Sequence, residues 1–153
     1  MRALKGKPDE ESSGKARIKE SVIIERFSAE RASELRLLLL RDEIGRVVER
    51  MGESYEDLRC VGELLSDPGL AVGVIAADAL KEAAGKGIDI GICVEALESA
   101  LGDKYARRNA AGALARQYIL SGQEEKAAGL MVSPEADIAE GAMEAVREIA
   151  ARE

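Results

Sequence analysis

Lys104-Tyr105-Ala106-Arg107-Arg108 is the one basic concentration beyond residue 53, and Arg116 follows Arg108 eight residues later, two turns on if the segment is helical. Guanidinium groups at that spacing share a helix face. Their forked N–H donors suit an acidic peptide or a phosphate, because each fork can meet a carboxylate or phosphoryl group with two parallel bonds. The plainer expectation is that Arg107 ties to a neighbouring turn and Arg108 is solvated, with the Tyr105 and Tyr118 rings in the core or half-buried. Catalytic chemistry finds little to use. The chain has no histidine, which removes the commonest general base, the commonest zinc ligand and every Ser-His or Cys-His nucleophile pair. Gly85-Lys86-Gly87 followed by Gly91 fits neither a dinucleotide fingerprint nor a phosphate loop and reads as a connection. Carboxylates are plentiful, but on solvated helix faces near opposite charges they serve solubility. No enzyme activity, cofactor or metal site is expected.

The elements that would position these arginines announce themselves by repetition. The stretch Leu65 to Leu80, LSDPGLAVGVIAADAL, returns as Met131 to Val146, MVSPEADIAEGAMEAV, displaced by 66 residues without a gap. A middle copy lies near half that distance: Ala76-Ala77-Asp78-Ala79-Leu80 is answered by Ala110-Ala111-Gly112-Ala113-Leu114, and Cys60-Val61 by Cys93-Val94. Self-similarity at this period marks stacked helix pairs. The expected fold is all-α: a short α-α superhelix of about three helix pairs behind an N-terminal capping pair. Residues 1–14 read as a disordered tail and 15–153 as one helical-repeat domain. Within it, 15–52 form the cap or a degenerate repeat, 53–86 repeat one, 87–121 repeat two and 122–153 repeat three.

Local signals place the helices. A short one is expected over 15–27, then a long one capped by Ser28 and running to Met51, where Gly52 stops it. Ser54 with Asp57 resembles a capping box opening a helix to Leu65. Asp67 before Pro68, and Ser133 before Pro134, read as N-cap followed by first helical residue. Asp103 after Gly102 begins the helix Lys104 to Leu120, with its partner at Ile90 to Leu101. The last pair is expected at Glu124 to Met131 and Pro134 to Ala151. Glu140, Glu144, Glu148 and Glu153 give that final helix an acidic, water-loving side, as a true terminus needs.

In this alignment the pattern Leu-x-Asp-Pro, a branched apolar residue, then Ala-Ala-x-Ala-Leu resembles the HEAT repeat, in the short variety known from phycobilisome lyases, over about Leu58 to Arg152. The resemblance implies that the second helix of each pair lines a concave side, with a turn acid and an early arginine forming a ladder between repeats. Those positions fall on Asp67, Asp103 and Ser133 for the turn, and on Arg107 alone for the arginine, with Gly73 and Ala139 elsewhere. Rows across the second helices would then be Asp78, Gly112 and Glu144; Lys81, Ala115 and Arg147; and Glu82, Arg116 and Glu148. With Lys104 and Arg108 these form the expected binding surface for an unidentified protein or peptide. The alternative that the resemblance implies is a bilin chromophore lyase or its accessory subunit.

Composition bounds the partner. Aromatic residues are 3% of the chain, so its core must be filled by small and aliphatic side chains on closely approaching helices. The net charge of -7, from 22 basic and 29 acidic residues, disfavours nucleic acid and anionic lipid. No membrane span or signal peptide is legible, so a cytoplasmic setting is expected, with self-association possible. Cys60 and Cys93 occupy matching repeat positions. Stacked helices lie about 8–10 Å apart, too far for a disulfide, so both should be reduced and buried.

Overall fold

The computed structural model describes residues 29–152, and every regular element among them is helical. The helix expected over 15–27, its neighbour's cap at Ser28 and the tail at 1–14 lie outside the described residues. Helix α1 is described over 29–40 and α2 spans Ile44–Glu53, so the single helix expected through Met51 is in fact two. Asp42 makes the break. It sits at φ 60°, and its N–H meets the Leu39 carbonyl while that of Glu43 reaches back to Leu38, both at 3.0 Å. This is a left-handed helix stop of the kind glycine usually supplies, and aspartate is among the few other residues that tolerate it.

Helix α3, Tyr55–Leu64, opens on Ser54, whose Oγ accepts the Asp57 N–H at 3.3 Å. The reciprocal half of the capping box is missing. Ser54 donates its own N–H to the Arg50 carbonyl at 2.9 Å, and the buried Asp57 carboxylate instead receives Arg31 at 3.2 Å and both Nε and Nη2 of Arg50 at 3.3 Å. One acid thereby ties α1, α2 and α3 together.

The remaining elements are α4 Leu70–Gly85, a 3-10 turn Gly91–Cys93 leading into α5 Val94–Ala100, α6 Arg107–Leu120, α7 Glu124–Met131 and α8 Ala136–Arg152. Helices α4, α6 and α8 each start two or more residues later than Asp67, Asp103 and Ser133 suggest. The reason is common to all three. The side-chain oxygen binds the N–H two residues on: Asp67 to Gly69 at 2.8 Å, Asp103 to Tyr105 at 2.9 Å and Ser133 to Glu135 at 3.1 Å. Such a bond closes a turn of its own before the helix begins, so these residues are turn formers, and Pro68 and Pro134 sit in the bend rather than in the first helical turn.

Helices α3 and α4, α5 and α6, and α7 and α8 pack as neighbouring pairs, while α4 lies between α2 and α6, and α6 between α4 and α8. The long helices run parallel. Lys81 of α4 meets Asn109 of α6 and Gly85 underlies Arg116; Arg108 of α6 meets Glu140 of α8 and Arg116 meets Glu148. Leu35, Leu39, Val47, Val61, Leu80, Leu97 and Leu114 fill the main core, whereas α6 meets α8 through Ala115, Ala142 and Ala145. No helix among the described residues is long and apolar enough to cross a membrane.

Alanine and glycine at that second contact let backbones touch. A Cβ on Gly141 would lie 2.2 Å from the Arg108 carbonyl oxygen, an atom fixed in the α6 backbone. A Cβ on Gly129 of α7 would meet nothing within 4 Å. Gly141→Ala should therefore destabilise by about 1–3 kcal/mol, overpacking outweighing the helix propensity that alanine brings. Gly129→Ala should stabilise by about 0.5–1 kcal/mol. Urea unfolding of both variants checks the pair, and equal effects would remove the close contact from the account.

Candidate functional site

Residues Arg108, Gly112, Arg116 and Leu120 stand four apart along α6, and Glu140, Glu144, Glu148 and Arg152 stand four apart along α8. Positions so spaced share a face, and the parallel register brings the two rows together. Arg108 is not simply solvated: it donates to Glu140 at 2.6 Å and to Glu144 at 3.5 Å. Glu140, through that bond, holds the Arg108 guanidinium protonated above its ordinary range. Arg116 pairs with Glu148 and, with only 7% of its side chain exposed, is a buried group rather than part of an open surface. The acidic side of α8 thus meets water and the α6 arginines at once, while Glu153 lies outside the described residues.

Among the other expected ladder and cap residues, Arg107 reaches Glu135 at 3.2 Å and Asp137 at 3.4 Å at the start of α8. Asp67 has an arginine too, which the repeat alignment did not supply: Arg36 of α1 meets it at 2.9 Å. Arg36, with the Gly69 N–H, holds the Asp67 carboxyl below its ordinary range. The position corresponding to Arg107 in α4 is Gly73, where a Cβ would sit 3.0 Å from the Leu65 carbonyl. A side chain there would begin in tight contact with a fixed backbone atom.

The three expected rows divide. Lys81 lays its methylenes on Gly112, points its amine at Asn109 at 3.3 Å and lies 3.8 Å from half-buried Asp78. Ala115 is fully buried, so the row through Lys81, Ala115 and Arg147 is broken at its centre. Glu82 and Arg147 are exposed. Lys104 is exposed at the opposite end of α6 from Arg116, with its amine 4.9 Å over the Tyr105 ring. The basic concentration at 104–108 therefore does not join Arg116. Tyr105 is 54% exposed, contrary to the expectation of a half-buried ring, because it belongs to the turn before α6. Tyr118 is buried, and its hydroxyl donates to Glu98 at 2.5 Å; burial, aided by that bond, pushes the phenol above its ordinary range.

What the structure gathers instead is a groove where α4, α6 and α8 end. An open hollow of about 540 Å³ is lined by Gly85, Lys86, Arg116, Leu120, Ile149 and Arg152 among others. It continues into a second, of about 370 Å³, that adds Lys81, Glu82 and Glu148. Lys86, Leu120, Ile149 and Arg152 were not singled out from sequence. Their signals were faint: a lysine between two glycines, a leucine before Ser121-Gly122 and basic and apolar residues in a last turn.

Cys60 and Cys93 are both free and buried, and Cys93 Sγ lies 3.5 Å from the Leu58 carbonyl. Burial pushes the Cys60 thiol up and the Cys93 thiol up to about 12. The chain matches no protein-family model, and it has no significant similarity to a curated protein or a solved structure.

At pH 8 a thiol with the Cys93 value is ionised in only about one molecule in ten thousand. Cys60 is buried too and its thiol is likewise pushed up, so a thiol reagent at pH 8 should leave both cysteines unmodified in the native protein and label both in denaturant. Rapid labelling of either under native conditions would contradict the packing of α3 against the 3-10 turn.

Proposed function

We propose that this chain is a small HEAT-like stack of α-hairpins acting as a non-enzymatic binding module, docking a protein or peptide across the face made by α4, α6 and α8. The observation that carries the reading is the parallel, side-by-side packing of those three helices, in which Arg107, Arg108 and Arg116 of α6 pair with carboxylates of α8 and its approach, and Lys81 of α4 meets Asn109 of α6. A continuous face of that kind is the surface on which helical repeats take partners. The chemistry of its residues points the same way. The cysteines are buried and the arginines are engaged with carboxylates, which leaves positioning and charge as what the face offers. A soluble, cytoplasmic setting fits the absence of a membrane-crossing helix among the described residues, and nucleic acid is disfavoured by the net charge of -7. The chromophore-lyase alternative finds no specific support in the residues of this face.

Arg108 and Arg116 are poor places to probe the proposal, since reversing either would strand a carboxylate of α8. Glu82→Lys with Arg147→Glu alters exposed charges on the second helices, and Glu95→Lys alters an exposed residue of α5 as a control. Affinity capture followed by mass spectrometry should lose its specific partners with the double variant and keep them with the control, both proteins retaining wild-type helicity. Partners that survive the double variant but are lost with the control would move the binding surface to the first helices.

A further inference from the structure

Arg116 is more than nine-tenths buried at the floor of the groove, yet its Nε has no hydrogen-bond partner among the described residues. Glu148 engages one nitrogen, Nη2. In a guanidinium, Nε–H and one Nη–H point the same way and together meet the two oxygens of a carboxylate. Glu148, half exposed and reaching across from α8, occupies one prong of that fork and leaves the other buried without a partner, an arrangement that costs free energy until a second oxygen takes Glu148's place.

Around this fork the walls have two characters. Lys81, Lys86, Arg116 and Arg152 supply four cations against Glu82 and Glu148, in a chain that is acidic as a whole. Capping the helix ends does not consume them. The last α4 carbonyls already accept from the N–H groups of Lys86, Gly87 and Ile88, and those of α6 from Ser121, Gly122 and Gln123; Arg152 is spent in part on the Gly85 carbonyl at 2.7 Å, and Lys81 in part on Asn109 at 3.3 Å and Asp78 at 3.8 Å. Beside the cations lie Ile119, Ile149 and Leu120, the last 55% exposed. Arg116 and Leu120 are one helical turn apart on one face, so an anionic group and an apolar side chain must arrive within a single residue's reach.

We propose that this groove binds the C-terminus of a polypeptide: its free carboxylate replaces Glu148 on the Arg116 fork, its apolar last side chain covers Leu120 and Ile149, and Lys86 and Arg152 flank the charge. A terminal residue is the unit of protein structure that carries both groups on one Cα. The open groove lets the preceding residues leave past Lys81 and Glu82 along α4. Glu148 then acts as an internal stand-in that the incoming carboxylate displaces. This inference rests on the reading of the α4-α6-α8 face as a peptide-binding surface and specifies where on it, and by what chemistry, binding occurs.

The test uses fluorescein-labelled hexapeptides, randomised at the first four positions and ending in two aliphatic residues, as free acids and as C-terminal amides, read by anisotropy against the full chain. Free acids should bind and amides should bind about tenfold more weakly or worse, the loss expected when a charge-assisted pair is removed. Glu148→Gln should tighten free-acid binding about threefold or more, by withdrawing the competitor, whereas a merely structural Glu148 would leave affinity unchanged or weaken it. Arg116→Met should abolish free-acid binding, and Lys86→Glu, at an exposed position, should weaken it and covers the case in which the Arg116 variant fails to fold. Equal binding of acids and amides overturns the terminal-carboxylate site. If that binding is also lost on charge reversal at Glu82 and Arg147, the wider face survives it. Binding by neither pool overturns the inference, and the capture experiment then decides the fate of the face separately.

Discussion

Two backbones come into direct contact at Gly141, whose α-carbon passes so near the Arg108 carbonyl that no side chain fits between them. The rest of the C-terminal half depends on this contact. With alanine at 110, 111, 113, 115, 142 and 145, α6 and α8 gain little area per residue by burial, and what each residue lacks in bulk is recovered by bringing many more main-chain atoms into van der Waals range. Close approach also brings the polar margins of the two helices within reach of each other, so that Arg107, Arg108 and Arg116 find carboxylates on α8. The N-terminal half is built differently. There Leu35, Leu39, Val47, Val48, Met51 and Leu58 interdigitate, and Asp57 supplies one central acid for two arginines.

Charge neutralisation inside the fold decides which parts of the surface remain available. Along α6 most cations are answered by α8, and the pairs at Arg108 are solvated enough to contribute only modestly to stability. Arg116 differs because it is buried: breaking its pair without a replacement leaves a charge in a poorly solvated site. Such a group is stabilised by any anion that can reach it. That is the physical reason an unpartnered polar atom stands at the ends of α4, α6 and α8 rather than in the basic run at 104–108.

The all-helical class, the pairing of short and long helices, the burial of Cys60 and Cys93 and the approximate spans of α3, α7 and α8 were legible in one dimension. They follow from apolar period, helix-breaking residues and a 66-residue repeat, each of which is a property of neighbours along the chain. Helix starts were misplaced by a few residues because Asp67, Asp103 and Ser133 can either cap a helix or close a turn before it. The two outcomes use the same side-chain oxygen and differ only in which N–H it reaches. The stop at Asp42 was hidden because aspartate adopts positive φ seldom enough that composition does not flag it.

By itself, then, the sequence determined the helical class and the approximate extent of most helices beyond residue 53, since these depend on spacing and residue type along the chain. Only the tertiary structure decided that Arg116 is buried and Tyr105 exposed, that Arg36 answers Asp67 from a helix 31 positions earlier, and that Lys86, Leu120, Ile149 and Arg152 share a groove. Those outcomes turn on the distance and register between helices. Both are set by how small the residues at the contacts are on two elements at once, a quantity no single stretch of sequence contains.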